Sequence, residues 1–145
     1  MLTLQIWFVA AHAVAFVGWA ALFALPLIGR RRAVLVARWA AVPLCLLYLL
    51  FLATHLKAIP TGSGYTLAAI ALAFERPVLL LAGWIHYLVL DLWVGSWEAE
   101  HSQGAGVPHA LLLPCLFATM MIGPLGLLLY LGVMGWRSRK GSPPR

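Results

Sequence analysis

Apolar residues in this chain gather in long blocks, and the polar ones fall between them. Four blocks, residues 5–28, 39–56, 77–97 and 110–135, approach or exceed the roughly 20 residues that a helix rising about 1.5 Å per residue needs to cross a hydrocarbon core. The pattern predicts an all-α integral membrane protein with four transmembrane helices in one bundle, because backbone groups in hydrocarbon must bond within their own segment. PTGSG at 60–64 breaks the chain between the second and third blocks, and YTLAAIALAF at 65–74 follows it. That segment is too short to span and predicts an interfacial or re-entrant helix, capped by Ser63, serving as a surface connector or as a lid over a cavity. The bundle is expected over residues 1–136, with 137–145 a basic, disordered tail.

Composition agrees with this reading. Of 145 residues, 63% are hydrophobic and only 10% charged, which excludes an ordinary soluble domain. The net charge of +6 does not point to nucleic acid, because the basic residues flank apolar runs; anionic lipid headgroups suit them better. Cys45 and Cys115 lie inside apolar runs and read as small buried hydrophobes, and no cleaved signal peptide is expected. With four spans both termini share a side. Counting Lys and Arg makes that side cytoplasmic, although Arg30, Arg31, Arg32 and Arg38 on the other side oppose it. The Ala-, Leu- and Arg-rich style suggests a bacterial inner membrane, and a homo-oligomer is compatible with it.

The third block, GWIHYLVLDLWVGSW at 83–97, carries His86 and Asp91. An acid at a helix centre costs roughly 2.5 to 3.5 kcal/mol on insertion scales, so it faces protein or a water-filled cavity. Steps of about 100° place Gly83, Tyr87, Asp91 and Gly95 on one ridge, small enough for a neighbouring helix to approach, while His86 lies about 140° around from Asp91. Asp91, His86 and Tyr87 are therefore the candidate reactive groups. Trp84 and Trp93 are candidate walls for a flat apolar ligand, and Trp39, Trp97 and Trp136 suit the membrane interface. His109 opens the fourth block, whose Pro114 and Gly123-Pro124-Leu125-Gly126 predict a kink with exposed carbonyls or close packing. Glu98-Ala-Glu100-His101 has a Glu-x-x-His spacing, but a single copy does not make a di-iron site, and no metal is expected. Haem between His12, His55 and His86 is a separate reading.

The stretch Trp84 to Trp97, followed by Gly-Val-Pro-His (residues 106–109), Leu-Leu-Pro-Cys (residues 112–115) and Gly-Pro-Leu-Gly-Leu-Leu-Leu-Tyr (residues 123–130), resembles the abscisic-acid-deficient-four-like family of small membrane proteins. The plant member of that family is required for neoxanthin formation. The resemblance implies a four-helix membrane protein linked to xanthophyll chemistry, in which an epoxide of violaxanthin opens and rearranges to an allene. That isomerisation needs an acid and a base and no redox cofactor. It makes Asp91, His86 and Tyr87 acid/base candidates, and Trp84, Trp93, His109, Gly123, Pro124 and Tyr130 candidate contacts for a carotenoid or isoprenoid ligand. The alternative is a protein that binds haem or a pigment without transforming it.

Overall fold

A computed structural model describes the backbone over residues 2–55 and 66–141. Every element in it is helical: α1 (Leu2–Phe23), α2 (Leu25–Ile28), α3 (Arg30–Thr54), α4 (Leu67–Phe74), α5 (Pro77–Gly104), α6 (His109–Met121) and α7 (Gly123–Gly141). Among the described residues, α1, α3 and α5 are long and apolar enough to cross a membrane. These three pack on one another. Gly29, at φ +87°, turns the chain from the single turn of α2 into α3, so Arg30, Arg31 and Arg32 begin a helix instead of forming a loop. Arg30 Nη1 then donates to the Ala99 carbonyl at 2.5 Å and to the Ser102 hydroxyl, and Arg38 pairs with Glu100 at 2.5 Å. The start of α3 is thus fastened to the end of α5. This is the arginine end of the bundle; the opposite end holds Leu2, Thr54, α4 and Pro77.

Three expectations need correction. The block at 110–135 is not one straight span. It is two helices meeting at Ile122, whose backbone is extended (φ −147°, ψ 80°). Pro124 has no N–H to continue the ladder and its ring collides with the carbonyl four residues back, so it halts one helix and is tolerated in the first turn of the next. The chain then doubles back. A methyl group on Gly126 would overlap the backbone nitrogen and hydroxyl of Thr119, although residues seven apart in a continuous helix are separated by about 10.5 Å of rise. Tyr130 on α7 returns to His101 near the end of α5, where α6 began. At about 20 Å, α6 reaches only part-way through a hydrocarbon core of roughly 30 Å. The hairpin sends the end of α7 to the arginine end, so α1 starts at one end of the bundle and α7 finishes at the other.

Next, α5 does not stop at Trp97 but continues to Gly104, which makes Glu98, Glu100 and His101 helical. Likewise α7 continues through Gly141, past the point where a disordered tail was expected; residues 142–145 lie outside the described part. The short helix between the second and third spans is present as α4. Its cap is Thr66, whose hydroxyl accepts from Ala69 N–H at 3.2 Å, while the expected cap, Ser63, lies outside the described residues. α4 has no buried residue, and Phe74 at its end rests on Gly83 of α5.

Two apolar clusters fill the bundle. One, at the arginine end, gathers Trp19, Leu22, Ala37, Leu92, Leu112, Leu116 and Tyr130; the other, nearer α4, gathers Ala11, Ala15, Leu44, Phe51, Ala82 and Ile85. Alanines predominate on α1 and α3, which lets their backbones approach closely in the absence of a hydrophobic drive between helices in lipid.

Candidate functional site

The buried face of α5 carries its polar groups at helical spacing: Asp91, Gly95, Glu98 and Ser102 all point inward. Asp91 is 7% exposed. Its carboxylate lies against the tip of the hairpin, where a methyl group on Gly123 would overlap Oδ1 and come within 2.9 Å of Cγ. Its other oxygen, Oδ2, is buried with no hydrogen-bond partner among the described residues. Tyr87, one turn earlier on the same helix, is the polar side chain alongside it. An isolated buried carboxyl is costly unless something bonds to it. Asp91 therefore presents an open valence to whatever enters beside the hairpin.

Tyr87 leads from Asp91 to a cleft of about 200 Å³ between α1, α5 and the end of α6, which also takes in His12, Trp19, Trp84 and Met121. The His12 ring is held at both nitrogens. Nδ1 lies 2.8 Å from the Phe8 carbonyl, which only accepts, and Trp84 Nε1–H donates to Nε2 at 3.1 Å. Those two bonds select the neutral tautomer with its proton on Nδ1. Trp84 in turn stacks on Tyr87, with ring centroids 5.9 Å apart.

Asp91 and Gly123 are brought together, and Tyr87 with Trp84 beside them. Pro124 sits exposed at the hairpin tip. The remaining predicted residues go elsewhere. His86 faces Tyr48 at 5.4 Å on the side of α3 and α4, in a different cleft from Tyr87. Trp93 lies under Arg38, with the guanidinium carbon 5.2 Å from its ring. His109 opens α6 with Nδ1 buried and unpartnered. Tyr130 is fully buried, and its hydroxyl is 2.8 Å from His101 Nδ1. His55 lies 3.1 Å from the Phe51 carbonyl, so the three histidines of the haem reading engage separate partners. Among the described residues, no group of three His, Cys, Asp or Glu side chains could hold a metal ion.

Two residues that the sequence assigned to other readings belong beside this face. Glu98, read as part of a lone Glu-x-x-His spacing, is completely buried and takes the Thr119 hydroxyl at 2.9 and 3.1 Å from its two oxygens. His12, read as a haem candidate, shares the cleft with Tyr87, which the wheel of α5 alone does not show. The seven-residue step from Asp91 sets Glu98 beside the same ridge.

No curated protein and no solved structure matches the chain. A family model described as ABA DEFICIENT 4-like matches residues 6–130, from α1 through the hairpin to Tyr130, and the chain belongs to that family.

Proposed function

We propose that the protein binds a carotenoid-like isoprenoid in the membrane and isomerises it by acid/base chemistry at Asp91, as the family's relation to the neoxanthin-forming factor suggests. The observation behind this reading is the buried, unpartnered Asp91 Oδ2 beside Tyr87 at the hairpin tip. Opening an epoxide to an allene breaks one C–O bond and one C–H bond and forms one double bond. The protonated Asp91 carboxyl gives its proton to the epoxide oxygen, and the carboxylate left behind takes the proton released from the adjacent chain carbon. One proton leaves and one returns, so product and substrate share a composition and no redox partner is needed. Tyr87 positions the oxygen. Apolar walls keep water from intercepting the opened ring. His86 has no part in this arrangement, since it serves another face of α5.

The test is expression with a supply of violaxanthin, followed by chromatographic separation of the products. Conversion by the wild type and at least a hundredfold loss in a folded Asp91→Asn variant support the reading; equal conversion by both removes it. The competing reading, a non-catalytic haem protein, has its own readout. A Soret band in the purified protein that disappears in His12→Ala would establish haem instead.

A further inference from the structure

The cleft that holds His12 and Tyr87 does not stand alone. On the other side of Trp84 lies a second cleft of about 400 Å³ between α1 and α5, walled by Phe8, Leu80 and Leu81. Trp84 lines both. Together they follow α1 from Leu4 to Trp19, about 22 Å of helix rise. Apart from Gln5 in the outer cleft, the wall is apolar and aromatic until its inner end, where the polar groups are His12 and Tyr87, with Asp91 behind the tyrosine. The hydrogen bond from Trp84 to His12 closes the groove at the junction of its two halves.

We infer that this groove is the binding site for one extended isoprenoid chain, and that the His12–Trp84 pair is the latch through which it threads. The apolar chain lies along the outer cleft, and its oxygen-bearing end passes Trp84 to reach Tyr87. When the indole swings aside, His12 Nε2 keeps its lone pair, because Nδ1 retains the proton it gives to Phe8. His12 then accepts the hydroxyl of the entering end group in place of the indole N–H. This rests on the isomerase reading only for the identity of the ligand.

Binding is separable from turnover. Quenching of tryptophan fluorescence by violaxanthin in detergent micelles reports occupancy, and it should saturate for the wild type. Leu80→Trp places bulk in the outer cleft at a half-exposed position where folding is tolerant, and should weaken binding at least tenfold. His12→Leu should weaken it by a similar factor, whereas His12→Gln, which keeps an acceptor for Trp84 and the ligand, should recover most of it. Asp91→Asn should bind like the wild type while failing to convert, so loss of the catalytic reading and loss of the groove give different results. Wild-type affinity in both Leu80→Trp and His12→Leu overturns the groove. Displacement of the quencher by an equal concentration of phosphatidylcholine overturns it too, since it makes the occupant ordinary lipid.

A separate observation fixes orientation. The hairpin brings the end of α7 to the arginine end, so Arg30, Arg31, Arg32, Arg38, Arg137 and Arg139 belong to that side. Arg76 lies at the other end. Among the basic side chains of the described residues, six of seven on one side is a strong bias. We propose that the arginine end is cytoplasmic, lies against anionic headgroups, and leaves the amino terminus on the far side. A membrane-impermeant maleimide applied to sealed right-side-out vesicles should label Thr3→Cys and spare Ser138→Cys until the vesicles are opened. Equal labelling at both positions, or protection of Thr3→Cys alone, overturns it.

Discussion

Two acids lie seven residues apart on one face of α5, and their surroundings differ. Glu98 is sealed: both oxygens meet the Thr119 hydroxyl, and Tyr130 and Cys115 pack around it. Asp91 is nearly as buried, with Tyr87 alongside it, yet among the described residues its Oδ2 has no hydrogen-bond partner. A buried acid with a fixed partner holds helices in register, while a buried acid with a free oxygen is available for chemistry. The contrast sets a partnered carboxyl beside one with a free oxygen at the same helix face, and the proposed chemistry falls on the second.

Several substitutions break or sharpen the contrast. The largest effect belongs to Gly126→Ala, which sets a methyl group against the Thr119 backbone and forces the hairpin apart. The expected result is failure to recover monodisperse protein in mild detergent, and near-normal recovery would show that the hairpin is not required. Asp91→Asn comes next on the activity axis, with a loss of roughly 10² to 10⁴, the range of a general acid or base, and unchanged thermal stability. Glu98→Ala should do the reverse. It leaves the Thr119 hydroxyl and a cavity behind, lowering stability in detergent by about 3 kcal/mol, whereas Glu98→Gln should restore most of it. If Glu98→Ala proves as stable as the wild type and inactive, the two roles are exchanged. Thr119→Val, which removes one donor, should cost about 1 to 2 kcal/mol by the same assay. Smallest of all, His86→Ala should leave conversion within about twofold, since the residue lies about 140° around α5 from Asp91 and lines a different cleft; a larger loss would return it to the site.

Much of this was legible from residue order. Blocks of apolar residues located α1, α3 and α5, and the 100° step found Asp91 and Gly95 facing inward with Tyr87 beside them. Hydropathy, however, has no direction. A run such as 110–135 has the same composition whether it crosses the bilayer or turns back, and only Gly123-Pro124 and Gly126 mark the reversal. Read as a kink, they opened space; packed against Thr119, they close it. Glu98 was read as a lone metal-type spacing in a loop because the apolar block ends at Trp97 and its partner lies 21 residues further on, a distance that the turn from α5 into α6 removes. Which histidine shares the Tyr87 cleft was not legible for a related reason: a wheel of one helix shows which faces exist but not which neighbour brings a base to them. His12 reaches Trp84 from α1 across 72 positions of sequence.

The hairpin also bears on how the chain enters the membrane in the first place. A segment that dips into hydrocarbon and leaves by the side it entered never carries its far end across. In the proposed orientation, Arg137 and Arg139 near the end of α7 are spared translocation, a step costing several kcal/mol for each charge at the bilayer centre by insertion scales. A straight fourth helix would have to draw that basic end through the bilayer or invert the rest of the protein. Bending at Ile122 lets α7 finish at the end of the bundle where Arg30, Arg31, Arg32 and Arg38 already lie, with α6 and α7 packed against α5.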